Sequence, residues 1–246
     1  MKSIITVYFW FWIVVGIIIT MITNTVLFLF NSPKHYQRKC IEIFMAQFPT
    51  YMMELAGFWE IKYIDLTKNK TNPNTNYVIV SNHTSLIDTI FTAQLPYTKV
   101  FTWNKKWAYT PGFGWLCYLA GHIAIDKNST ISKQNAIIES INNLNNNTSI
   151  IFYPEGTRNK NPDKNQLLPF KTGAFRVAQQ ANKEILPITL IGTHKACNGF
   201  ICDYAKIEII IDMPMTIENI DTTIDNVRYI MKFNMNKVNM NKVNLI

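Results

Sequence analysis

Four short stretches carry residue types that could act on a substrate. The first is Ser81-Asn82-His83-Thr84-Ser85-Leu86-Ile87-Asp88, directly after a β-rich run at 77–81. An imidazole titrates near neutrality, and at a strand end it faces a crevice. A carboxylate five residues on can reach back across a strand-to-helix turn. It would fix one ring nitrogen and leave the other as a base. The plainer reading makes Ser85 and Asp88 a capping box for the next helix and His83 a loop histidine. The second stretch is Phe152-Tyr153-Pro154-Glu155-Gly156-Thr157-Arg158. Arg158 offers a planar fork to a phosphate, and Gly156 lets backbone approach a ligand. Glu155 could orient the arginine or accept from a substrate hydroxyl. The plainer reading is a turn with a surface ion pair worth about 0–1 kcal/mol. The third, Leu167-Leu168-Pro169-Phe170-Lys171-Thr172-Gly173-Ala174-Phe175, sets Lys171 near a helix start, where backbone N–H groups favour an anion. The fourth, Gly121-His122-Ile123-Ala124-Ile125-Asp126-Lys127, reads as a strand ending in opposite charges.

The elements that must hold these groups follow from the pattern after residue 59. Strand-like runs at 61–66, 77–81, 99–103, 122–126, 149–153, 185–191 and 206–212 alternate with helical stretches near 85–95, 105–119, 130–144 and 170–182. Pro111 and Gly112 break the second of these helices. The alternation predicts an α/β fold: a mostly parallel central sheet flanked by helices, with right-handed crossovers. Sites in such sheets gather at the C-terminal ends of strands, where the first two stretches lie. The organisation expected is an anchor at 1–58, an α/β domain at 59–231 and a low-complexity tail at 232–246. The tail repeats MNKVN and is expected to fray or graze a membrane.

Residues 4–30 contain no charged side chain. As a helix they would run about 40 Å, longer than the ~30 Å hydrocarbon core, so a tilted span or a bent re-entrant pair fits. The run exceeds a signal-peptide core and predicts an uncleaved anchor. Lys34, His35, Arg38 and Lys39 follow it and only Lys2 precedes, which places the active domain on the cytosolic side of a membrane. Residues 40–60 read either as an interfacial helix pair or as helix packed on the main domain. With 24 Lys and Arg against 16 Asp and Glu, the net charge is +8. The basic residues are dispersed and form no recognised motif, so no nucleic-acid partner is expected. Hydrophobic residues at 48% exclude wholesale disorder. Cys40, Cys117, Cys197 and Cys202 are too sparse for a disulfide framework and are expected as reduced thiols. His194 with Cys197 and Cys202 lacks a fourth ligand at zinc-like spacing, so no metal and no cofactor are expected.

Taken in order, the four stretches resemble the 1-acylglycerol-3-phosphate acyltransferases of bacterial type. Asn82-His83 to Asp88 looks like their first block, Gly121 to Lys127 their second, Pro154 to Arg158 their third, and Leu186-Pro187-Ile188 their fourth. The likeness covers roughly residues 60–215. It implies transfer of a fatty acyl group from a thioester, on coenzyme A or acyl carrier protein, to the free hydroxyl of lysophosphatidic acid. It also implies a membrane phospholipid environment. His83 would be the base and Asp88 its partner. Arg158, Lys171 and Lys105 would bind phosphate, in a pocket shaped by Glu155, Gly156 and Thr157. Ile125, Asp126 and Lys127 would line the acceptor pocket. The second block usually ends in Arg, and Lys127 keeps the charge without the bidentate fork. Related acyltransferases acting on glycerol phosphate or other lysophospholipids, and a non-catalytic lipid binder on the same scaffold, remain as competing readings.

Overall fold

The uncharged N-terminal run folds as one unbroken helix, α1 (Lys2–Leu29). The computed structural model describes residues 1–67, 71–110, 112–161 and 166–243. Ile5, Phe9, Ile13, Gly16, Thr20 and Asn24 recur at helical spacing and are buried. Ile4, Val7, Phe11, Val14 and Ile18 face outward. By length and composition alone the helix could cross a membrane. The chain reverses at Asn31, whose φ is 49°. It returns as α2 (Lys34–Glu42), a π-helical turn (Ile43–Gln47) and α3 (Phe48–Leu55). The Tyr8 hydroxyl donates to the Met52 carbonyl at 3.4 Å, and Gly16 brings α1 against the Phe44 backbone. Residues 34–55 are therefore a helical return packed on α1. Ile5, Phe9 and Ile13 share one apolar cluster with strand residues, so α1 packs against the sheet.

The remaining elements are β1 (Trp59–Asp65), β2 (Val78–Ser81), α4 (Asp88–Ala93), β3 (Lys99–Asn104), a 3-10 turn (Lys105–Trp107), α5 (Phe113–Leu119) and β4 (Ile123–Ile125). After them come α6 (Thr130–Asn145), β5 (Ser149–Phe152), α7 (Gly173–Gln180), β6 (Ile185–Ile191), α8 (Thr193–Ala196), β7 (Cys197–Asn198), β8 (Ile201–Cys202), β9 (Ala205–Ile211) and α9 (Ile220–Val243). One sheet takes the order β1-β9-β6-β2-β5-β3-β4. Its pairs are parallel except β6 with β9. The α/β fold and all seven strand runs are thus as expected, with shifts of one or two residues at the ends. β2 is buried throughout, as a strand covered on both faces must be. Alternation splits it between two cores. Ile79 joins the cluster beneath α1, whereas Val78 and Val80 join the cluster holding residues of α6, α7 and α9.

Two expectations change. Cys197 lies directly opposite Cys202 across the β7–β8 hairpin, and the two form a disulfide. Facing cross-strand positions bring β-carbons close, so only Cys40 and Cys117 are free thiols. The 232–246 tail does not begin as a frayed end. α9 continues to Val243, and Met231, Asn234 and Met235 are buried. Residues 244–246 lie outside the described residues, as does Pro111 of the predicted helix break. Gly112, at φ 78°, does precede α5.

Candidate active site

β2 is the central strand, and its register levels Ser81 with Ile188 and Val80 with Phe152. The loops after β2 and β5 therefore leave the sheet side by side. Asn82 fixes the first of them. Its side chain donates to the Leu190 carbonyl at 2.9 Å and accepts from the Leu190 N–H at 2.8 Å. A buried amide satisfied on both ends in this way extends the strand pairing by one residue.

His83 follows, and the structure brings it onto Asp88, with Nδ1 2.8 Å from Oδ2. Oδ2 also accepts from the N–H groups of Thr84 at 2.7 Å and Ser85 at 2.8 Å. An oxygen already accepting twice from backbone is an acceptor, so Nδ1 carries the hydrogen and Nε2 is left with a free lone pair. Asp88 is wholly buried and opens α4. The predicted Ser85 cap is not formed, because the helix starts three residues later and the Ser85 hydroxyl donates to the Cys197 carbonyl at 2.6 Å. The Tyr153 ring stacks on the imidazole, with centroids 4.3 Å apart and planes 23° apart. The Tyr153 hydroxyl lies 2.8 Å from that of Thr92. Burial, and then the nearby Asp88 charge, push the Tyr153 phenol well above its ordinary range.

Glu155 is held by backbone. Its Oε1 accepts from the His83 N–H at 2.8 Å and its Oε2 from the Leu168 N–H at 2.9 Å. The carboxylate is buried. Burial raises its pKa, and the two N–H groups pull it back. Both oxygens are thus engaged by backbone, and the side chain clamps the His83 loop to the segment before Lys171. The Asn159 N–H donates to the His83 carbonyl at 2.6 Å, which seats the neighbouring Arg158 beside the histidine loop.

Cations collect on the same side. Lys171 stands two residues before α7, as the helix-start reading predicts. Its N–H donates to the Pro154 carbonyl at 2.8 Å. Gly156 has φ 70°, and a Cβ there would lie 2.7 Å from the Lys171 Nζ. Lys127 donates to the Gly156 carbonyl. Its pKa is lowered by burial first, then by Lys171 and Lys106. Lys106 thus joins the cluster. It adjoins Lys105, which begins the 3-10 turn, and it sits 5.0 Å over the Trp107 ring. Arg158 and Lys171 form no salt bridge among the described residues. Thr157 is exposed. Of the second block, Lys127 alone reaches this cluster. Asp126 holds a turn, accepting from the Asn128 N–H at 2.9 Å, and Ile125 packs against the second core. Among the described residues no cluster of three or more His, Cys, Asp or Glu side chains could hold a metal ion.

A carboxylate-oriented imidazole beside several unpaired cations suits proton abstraction from a group attached to phosphate or another anion. The family model described as Acyltransferase matches residues 63–191. The chain belongs to the acyltransferase family. The matched span runs from β1 to the last residue of β6 and includes every residue of the cluster just described. A 1-acyl-sn-glycerol-3-phosphate acyltransferase of Cocos nucifera is 39% identical over 129 residues, 50% of this chain and 40% of that protein. Its Haemophilus influenzae namesake is 31% identical over 153 residues, 61% of this chain and 62% of the other. The Escherichia coli protein of the same name is 28% identical over 193 residues, 74% of each. The chain spans about half the length of the plant relatives it matches. The crystal structure titled as the 1-acyl-sn-glycerophosphate (LPA) acyltransferase PlsC of Thermotoga maritima superposes with a TM-score of 0.76. At 21% identity it covers 97% of this chain and 98% of its own, so the two share the fold.

Proposed function

We propose that the chain transfers a fatty acyl group from a thioester, on coenzyme A or acyl carrier protein, to the sn-2 hydroxyl of lysophosphatidic acid. The Nε2 of His83 takes the hydroxyl proton as the oxygen attacks the thioester carbon. Asp88 holds the imidazole tautomer and stabilises the imidazolium. The ester C–O bond forms, the thioester C–S bond breaks, and the imidazolium returns its proton to the leaving thiolate. The acceptor hydroxyl attacks directly, so no enzyme nucleophile is required. Arg158, Lys171 and Lys127 bind the acceptor phosphate, with Lys105 and Lys106 adding positive charge nearby. Lys127 supplies charge without a fork, which loosens headgroup geometry relative to an arginine.

The observation that carries this reading is the 2.8 Å His83–Asp88 pair in a loop stapled to the Arg158 segment. The outward apolar row of α1 supports a seat on a membrane. The helix is buried on its other side from Ile5 to Asn24, so it favours lying along the bilayer surface with the domain facing the cytosol. The test is acyl transfer from long-chain acyl-CoA, and then acyl carrier protein, to lysophosphatidic acid in detergent micelles. Product is expected from wild type, none from His83→Ala, and a raised acceptor KM from Arg158→Ala. Wild-type silence with both donors would refute the reading. Equal rates on several lysophospholipids would broaden the acceptor class.

A further inference from the structure

Between β6 and β9 the chain leaves the sheet as α8 and the β7–β8 hairpin. The excursion touches two parts of the molecule that are far apart in sequence. One is α1. The Thr6 hydroxyl accepts from the Cys202 N–H at 2.9 Å and donates to the Cys202 carbonyl at 3.2 Å. The Trp10 indole donates to the Phe200 carbonyl at 2.7 Å, and the two rings lie 5.5 Å apart. The other is the His83–Asp88 loop. The Ser85 hydroxyl donates to the Cys197 carbonyl at 2.6 Å, and the Thr84 and Thr193 hydroxyls are 3.1 Å apart. The N–H groups of Thr84 and Ser85 in turn hold the Asp88 oxygen that faces His83. The hairpin thus spans from α1 to the residues that fix the imidazole.

Its tip is apolar and open. Phe200 is 70% exposed and Ile201 62%. Neither stands alone, because Trp10 joins them to the outward row of Ile4, Val7, Phe11 and Val14 on α1. An apolar surface this continuous, carried by an uncharged helix, fits lipid better than a folded partner with a polar rim. The Lys2–Asp203 ion pair at 2.9 Å marks a polar border where the hairpin meets the start of α1.

We infer that the β7–β8 hairpin is a second lipid-contacting surface, which inserts Phe200 and Ile201 beside α1 and steadies the His83–Asp88 loop through Ser85 and Thr84. The inference adds a surface and a coupling to the membrane-bound reading above, and it rests on that reading for its relevance to turnover. Seating the tip in the bilayer restrains the hairpin backbone at Cys197. That restraint passes to Ser85 by one hydrogen bond and to Asp88 by the next.

The test uses the full chain in phosphatidylglycerol–phosphatidylcholine nanodiscs containing a diazirine-bearing phospholipid. Photolysis and mass spectrometry are expected to place lipid adducts on Phe200 and Ile201 well above those on Ile131 and Ile138. The latter pair is also exposed, but on α6. In the Phe200→Ser/Ile201→Ser variant, hydrogen exchange at Thr84 and Ser85 is expected to rise about tenfold, with α6 unchanged. Labelling of the tip no greater than of α6 would overturn the lipid contact. Unchanged exchange at Thr84 and Ser85 would overturn the coupling. Neither readout needs turnover, so a failure here and a failure of acyl transfer are told apart.

Discussion

Glu155 separates two accounts of the same motif. The sequence sets it beside Arg158, which suggests a substrate contact. The structure instead directs its oxygens to the His83 and Leu168 N–H groups at 2.8 and 2.9 Å. Glu155→Gln keeps the size and one acceptor oxygen. The new amide group then meets an N–H, donor against donor, in a buried site. Losing a hydrogen bond to a charged group costs about 1.5–3 kcal/mol. Part of that returns, because a carboxylate whose pKa is raised by burial is itself costly to keep charged. A net loss of about 1–2 kcal/mol is expected in urea unfolding.

The kinetic consequence is larger. Whichever N–H is freed, that of His83 or that of Leu168, the clamp on the His83 loop is cut, so the imidazole can drift relative to the acceptor hydroxyl. A displacement near 1 Å at a reacting group costs about a hundredfold. Steady-state kinetics on Glu155→Gln should therefore show kcat down by about ten- to a hundredfold with acceptor KM nearly unchanged. Glu155→Asp, too short to span both N–H groups, should lie at or below the glutamine variant. The opposite split, a raised acceptor KM at wild-type kcat, would refute the clamp and return Glu155 to the substrate pocket.

Two further outcomes follow from the same structure. Tyr153→Phe keeps the ring stacked on His83 and loses only the Thr92 contact. It should retain most activity, whereas Tyr153→Leu should lose about tenfold in kcat, by removal of a face that supports the imidazolium; equal effects of both would assign the role to the hydroxyl. Asp212 is pushed up to about 6 by burial, against an ordinary value of 3.8, while it accepts from Asn234 at 2.8 Å. The folded state then binds the proton more tightly, so this group's stabilisation is present below about pH 4 and lost as pH rises through about 6, roughly 3 kcal/mol in all. Thermal melts should show that slope flattened in Asp212→Asn, and an unaltered profile would contradict it.

The parts of this molecule legible in the sequence share a physical trait: their causes are local. His83 and Asp88 are five residues apart and meet across one turn. Lys171 precedes its helix by two residues. The runs of β2, β5 and β6 show because a strand buried on both faces must be continuously apolar. The unread parts depend on partners distant along the chain. Asn82 bonds a residue 108 positions away, Ser85 one at 112, and Glu155 one at 72. Lys106 matters through Lys127, which a fold must bring near. The low-complexity look of the tail hid a buried helical face, on which Met231 and Met235 sit four residues apart. Asp88 and Glu155 make the contrast sharpest. Each is a buried carboxylate one or two bonds from the same histidine. Spacing could suggest the role of the first because its partner lies within one turn. For the second, the backbone partners at His83 and Leu168 lie 72 and 13 residues away, and spacing could not name them. Each buried oxygen of Glu155 accepts from a backbone N–H, and both donors lie in other loops that only the fold brings together.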